Sequence, residues 1–152
     1  MSRQDPTRGA STAIGSALYG LATRAVRRLP RDMSITSAAT LATLHRTGPR
    51  RITDLAAIEG VTQPAMTVLV RVMEESGLVE RRGEASDRRV TLVCLTEAGA
   101  SYVRTRHQAG VEAFARLIDE LADDEVEALV AALPALAHLA ELESQYHEGP
   151  KR

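Results

Sequence analysis

The stretch Gly77-Leu78-Val79-Glu80-Arg81-Arg82-Gly83-Glu84-Ala85-Ser86-Asp87-Arg88-Arg89-Val90-Thr91-Leu92-Val93-Cys94-Leu95-Thr96-Glu97-Ala98-Gly99 decides the fold. It reads as two short strands around a polar tip, followed at once by a helix start capped by Thr96. A hairpin that pushes Arg88 and Arg89 into solvent has little use in a core. The narrow, strongly negative minor groove of a nucleic acid attracts such arginines. The competing reading is a charged turn that keeps an edge strand from aggregating. Asp87 favours the first, because a carboxylate two positions before Arg89 can hold its guanidinium in one orientation. Arg81 and Arg82 on the first strand add charge suited to phosphate.

Working upstream, Thr62 caps a helix that runs to about Ser76 and stops at Gly77, with Pro64 tolerated in its first turn because the amide there has no intrahelical partner. Just before it, Thr53 is a cap for a short helix over residues 54–59, and Gly60 suits the left-handed position that ends it. Two helices separated by a few residues with glycine at the turn make a helix-turn-helix. On the second helix Ala65, Leu69, Val72 and Met73 are expected to face inward. Gln63, Thr67, Val70 and Arg71 are expected to face outward. Gln63, Thr67 and Arg71 can hydrogen-bond base edges or phosphates, and Val70 or the Pro64-Ala65 start can touch a thymine methyl. A merely solvated face is the alternative for this helix taken alone.

Three further helices flank this unit. Residues 1–9 are polar and expected to be mobile. Ile14, Leu18, Leu21, Ala25 and Leu29 then recur at helical steps until Pro30. Thr36 is the expected cap of a helix through about Arg46, ended by Gly48-Pro49, and Arg51-Ile52 is at most a strand stub. After Thr96 a long helix extends to about Leu121, with Val103, His107, Val111, Phe114 and Ile118 on its apolar side. A last helix from about Asp123 to Tyr146 starts with acids, favourable to its dipole, and contains Pro134, which is expected to bend it. The fold class is mainly α with a small β-hairpin: a winged helix-turn-helix over 34–99, flanked by dimerisation helices at 10–31 and 100–147. Those flanking helices carry more apolar surface than one small domain can cover, which predicts a homodimer.

Bulk properties limit the alternatives. With 152 residues, 44% hydrophobic and 26% charged, the chain has the size and composition of a globular domain. No apolar run approaches a membrane span and no apolar block like a signal peptide's opens the sequence, so a cytoplasmic protein with no membrane partner is expected. The single cysteine, Cys94, allows no internal disulfide. The net charge of −1 alone argues against a nucleic-acid partner, but its distribution does not. Residues 1–31 hold six arginines and one acid, residues 112–148 hold ten acids and one arginine, and the hairpin tip is arginine-rich. Screening over about 8–10 Å lets a basic face act independently of an acidic one.

The chain resembles the MarR family of bacterial transcription regulators. The resemblance runs through Ile52-Thr53-Asp54-Leu55-Ala56, Val61-Thr62-Gln63-Pro64-Ala65-Met66-Thr67, Glu75-Ser76-Gly77-Leu78-Val79-Glu80-Arg81, Ser86-Asp87-Arg88-Arg89 and Leu95-Thr96-Glu97-Ala98-Gly99. Outside roughly 34–100 only the helix pattern matches. The resemblance implies a dimer that binds pseudo-palindromic double-stranded DNA, usually as a repressor relieved by a small molecule or an oxidant. By position, Arg89 is the wing arginine that reaches the minor groove, oriented by Asp87 with Arg88 beside it, and helix 62–76 enters the major groove. Relatives often bind phenolic or aromatic acids where the dimerisation helices meet the DNA-binding lobe. Tyr19, Arg24, His45 and Arg106 are the polar candidates there, and each is equally readable as a surface or interface residue.

Other sensing chemistries have little support. Peroxide-sensing relatives use a reactive cysteine in the first helix, which here has none, and Cys94 alternates with Val90 and Leu92 as a buried small residue. The dispersed His45, His107, His138 and His147 lack metal-ligand spacing, so neither metal nor cofactor is expected. A constitutive or partner-regulated DNA-binding protein without an effector pocket remains the alternative. An enzyme is disfavoured: there is no glycine-rich phosphate loop, serine-centred elbow or ligand cluster.

Overall fold

The computed structural model describes residues 6–28, 32–83 and 90–148, with side chains for 8–26, 32–83 and 90–143. The chain divides into two units, residues 1–33 and 34–152.

The first unit is helix α1, Pro6–Arg28. It starts four residues ahead of the expected Ala10. Proline at the first helical position costs nothing, since its missing N–H has no partner there. Thr12 and Thr23 donate their hydroxyls to the carbonyls of Arg8 (3.0 Å) and Tyr19 (2.8 Å), so both polar groups are satisfied within the helix. Ile14, Tyr19, Leu21 and Val26 are exposed.

The second unit runs α2 (Ile35–Thr47), β1 (Arg50–Arg51), α3 (Ile52–Ile58), α4 (Gln63–Glu75), β2 (Val79–Gly83), β3 (Thr91–Leu95), α5 (Glu97–Ile118) and α6 (Asp123–Glu148). Ser34, not Thr36, caps α2: its Oγ accepts from the Ser37 amide at 3.0 Å, with extended backbone angles. Thr36 lies within the first turn, and its carbonyl receives the Thr40 hydroxyl at 2.8 Å. That bond satisfies a hydroxyl that is otherwise fully buried in the core.

The expected Thr53 cap is displaced for a different reason. Arg50 and Arg51 pair with Val93 and Leu92 of β3, so the chain stays extended through Arg51 and the helix begins at Ile52. Thr53 therefore sits inside the first turn, and Arg51 occupies the cap position without a side-chain bond. The strand stub itself forms, one residue earlier than read, and adds a third strand to the hairpin in the order β1-β3-β2.

Two turns of the same kind bracket α4. At the first, Val61 N donates to Ala56 O (3.0 Å) and Gly60 takes φ +66°. At the second, Leu78 N donates to Met73 O (2.9 Å) and Gly77 takes φ +71°. Both are Schellman closures, in which glycine accepts a left-handed angle that other residues resist. Thr62 caps α4 as expected: its hydroxyl oxygen accepts from Ala65 N. The core of this unit is Leu41, Leu44, Leu55, Met66, Val70, Met73, Val79 and Val93, drawn from α2, α3, α4, β2 and β3. Against it, α2 packs on α5, and α3 on α4. α6 opens with Asp123, Asp124 and Glu125, and it continues through Pro134.

Candidate nucleic-acid interface

The burial of α4 fixes which of its faces can meet a partner. Met66, Val70 and Met73 are fully or almost fully buried and Leu69 is half-buried. These positions follow the i, i+3/i+4, i+7 spacing of one helical stripe. Val70 therefore faces inward, contrary to the expectation from sequence, and its 0% exposure excludes it from any thymine contact. Ala65 and Val72, expected inward, are exposed. Met66 sets the inward stripe in place of Ala65 and Val72: it is fully buried, and the Thr40 hydroxyl of α2 lies 4.0 Å from its sulfur.

The remaining predicted residues of this helix all reach solvent: Gln63, Pro64, Ala65, Thr67 and Arg71. Thr67 donates its hydroxyl to Gln63 O at 2.9 Å, so toward a partner it offers an acceptor and a methyl group. Arg71 Nε lies 3.7 Å from Glu75 Oε1, a loose surface pair one turn apart. Sequence reading missed Val68, which is exposed between these polar groups. The missed signal was simple: with Met66 and Val70 inside, Val68 has to point out.

On β2, Arg81 and Arg82 are exposed, as expected. Arg81 Nε pairs with Glu74 Oε2 of α4 at 3.3 Å, which ties the wing strand to the end of that helix. Arg82 pairs with Glu80 on its own strand. Asp87, Arg88 and Arg89, at the tip, lie outside the described residues. Cys94 is buried on β3, opposite Glu80.

Of the four effector candidates, Tyr19 and Arg24 belong to α1, where Arg24 folds back over Gly20. His45 is exposed in the last turn of α2. Arg106 is half-buried on α5, where its Nη1 donates to the Tyr102 hydroxyl at 3.1 Å and its guanidinium stands 6.0 Å from the ring centre. Among the described residues no three His, Cys, Asp or Glu side chains are placed to hold a metal ion. None of the described helices is long and apolar enough to cross a membrane. No buried side-chain nitrogen or oxygen among them lacks a hydrogen-bond partner.

A capped helix presenting polar side chains, entered through a glycine turn and followed after three residues by an arginine-bearing hairpin, is a winged helix-turn-helix DNA-binding domain. Residues 33–91 match the MarR family, from the end of the first unit to the start of β3. The chain is 29% identical over 110 residues to the uncharacterized HTH-type transcriptional regulator YfiV of Bacillus subtilis, spanning 72% of this chain and 69% of that one. Its fold is shared by the transcriptional regulator Tm0710 of Thermotoga maritima (TM-score 0.76, 19% identity, 88% of this chain and 98% of that one). It is shared also by MepR, a transcription regulator of the Staphylococcus aureus multidrug efflux pump MepA (TM-score 0.67, 23% identity, 87% and 97%). Over residues 33–91, its winged helix-turn-helix, the chain is thus similar to the MarR family of DNA-binding transcription regulators.

Proposed function

We propose that the protein is a cytoplasmic homodimeric repressor that binds a pseudo-palindromic operator and is released from it by a small phenolic or aromatic-acid ligand. The observation that carries this reading is the outer face of α4. Gln63, Thr67 and Arg71 stand exposed there, and Arg81 is fixed to the same helix through Glu74. In this reading α4 lies in the major groove, with Gln63, Pro64, Ala65, Thr67 and Arg71 toward the bases. Arg81 and Arg82 meet phosphate, and the Asp87-Arg88-Arg89 tip enters the minor groove.

Residues 34–99 then form the DNA-binding lobe, and α1, α5 and α6 hold two copies together. Support for the latter comes from apolar side chains left in water on one copy, among them Phe114 and Ile118 of α5 and Leu129, Leu133 and Leu136 of α6. Tyr19, Arg24, His45 and Arg106 offer the aromatic surface and cationic donors that an aromatic carboxylate requires.

The test is selection of bound duplexes from random oligonucleotides, followed by titration at several salt concentrations with and without a panel of aromatic acids. A palindromic consensus and an affinity that falls steeply with salt are expected, together with a lower affinity in the presence of at least one acid. A flat salt response removes DNA binding. An affinity that no acid alters leaves a constitutive or partner-regulated DNA-binding protein.

A further inference from the structure

We infer that Val68 is a base-reading residue that recognises the C5-methyl group of a thymine; the inference rests on the reading of α4 as the helix that meets DNA. The core contacts of α4 fix its orientation. Met66, Val70 and Met73 are buried. At about 100° per residue Val68 stands about 170° from the middle of that stripe, which places it, with Glu75 one face along, on the side of the helix turned away from the core. It is 53% exposed.

Packing and helix formation favour a valine there only weakly. A position more than half exposed gains little from burial, and valine is a poorer helix former than the alanine, glutamate or arginine that would serve in water. What valine offers is shape. In a helix its χ1 is held in one rotamer, so its two methyl groups are presented at a fixed place with little entropy left to lose. Its neighbours are the groups suited to base edges: Thr67 as an acceptor and Arg71 as a donor on the adjoining flank. The apolar surface continues along the helix through Val72, 49% exposed, and through Ala65 and Pro64. Among the base edges of the major groove, only thymine carries an apolar group, its C5-methyl. An apolar side chain within a polar reading face therefore matches thymine better than any other base.

The experiment takes the selected operator duplex and replaces each thymine in turn by deoxyuridine, which pairs identically and lacks only the methyl. Wild-type protein is expected to lose about fourfold in affinity at one thymine, and about fifteenfold when the symmetry-related thymine is replaced as well. Val68→Ala is expected to bind the thymine and deoxyuridine duplexes equally while melting at the wild-type temperature, and Val68→Thr, which keeps one methyl, to discriminate in between. Tight, salt-sensitive binding by the wild type that no deoxyuridine substitution weakens overturns the role of Val68 and leaves DNA binding standing. Discrimination that persists in Val68→Ala assigns the methyl contact to another residue and also overturns it. A chain that selects no sequence overturns the DNA reading itself, and this inference with it.

Discussion

The hydroxyl of Thr96 donates to the carbonyl of Gly77 at 2.7 Å, across nineteen residues of sequence, and lies 3.1 Å from the carbonyl of Leu78. The same oxygen accepts from the Gly99 amide at 3.0 Å, and the Thr96 amide donates to Leu78 O at 3.1 Å. One side chain therefore caps α5 and closes the turn in which α4 ends. These bonds tie the start of the long α5 to the end of α4, a direct route by which a rotation of α5 would reach α4.

Thr96→Val keeps the shape and removes both hydrogen bonds. Loss of an N-cap and of a hydroxyl–carbonyl bond costs about 1–2 kcal/mol. Urea unfolding should show that loss as a lower midpoint at unchanged slope, and Thr96→Ser should recover most of it. A shift below about 0.5 kcal/mol means the junction is held by packing alone.

Gly99 sets two effects of opposite sign against each other. Alanine in place of a helical glycine contributes about 1 kcal/mol of stability through propensity. A Cβ at this position, however, would overlap the backbone carbonyl of Leu78 and come within 2.8 Å of Leu95 Cδ1. Backbone cannot swing aside as a side-chain end can, so α5 has to lift off the turn, at about 1–3 kcal/mol. The overlap wins: Gly99→Ala should be destabilised overall and should bind DNA more weakly, because α4 loses its anchor. An unfolding midpoint raised by the substitution would show that the helix end is free to move.

Much of this was legible in the sequence. Thr62, Pro64, Gly60, Gly77 and Thr96 specify local backbone geometry, and each takes the predicted role. Local rules failed where tertiary structure set the boundary. Thr53 is a good cap, but pairing of Arg50 and Arg51 with β3 carries extended chain past the place where it would act. Val70 and Val72 are the same residue type two positions apart, and composition cannot say which is inside. The contact of Met66 with the core beneath α2 decides it. The effector candidates lie on helices of both units, so no spacing in the sequence tests whether they meet.

Glu75 is predicted to restrain DNA affinity. It lies on the exposed side of α4, 3.7 Å from Arg71, and both side chains are more than two-thirds exposed. Such a pair adds only about 0.3–0.5 kcal/mol to the helix. Beside a phosphate backbone the carboxylate repels, and it also competes for the guanidinium. Glu75→Gln should bind operator several-fold more tightly at low salt, with the gain vanishing as salt rises. Arg71→Ala should lose about tenfold or more, with no change in melting temperature. Equal affinities for all three proteins in a salt series would place this face of α4 away from DNA.

The oligomeric state can be tested on α6. Leu133 is 58% exposed and Leu136 lies three residues on, also exposed, in a helix whose apolar residues recur along its length. An isolated exposed leucine needs no explanation, but a run of them on a long helix is the kind of surface that a second copy would cover. Burying an unpaired carboxylate in such an interface costs several kcal/mol, more than most dimers of moderate affinity can absorb. Wild-type protein should elute with the light-scattering mass of a dimer, and Leu133→Glu with Leu136→Glu should shift it to a monomer of unchanged helicity. The monomer should lose most operator affinity although α4 is intact, because the second half-site is no longer held at the millimolar effective concentration that tethering supplies. A monomeric wild type, or a double variant that stays dimeric, removes α6 from the interface.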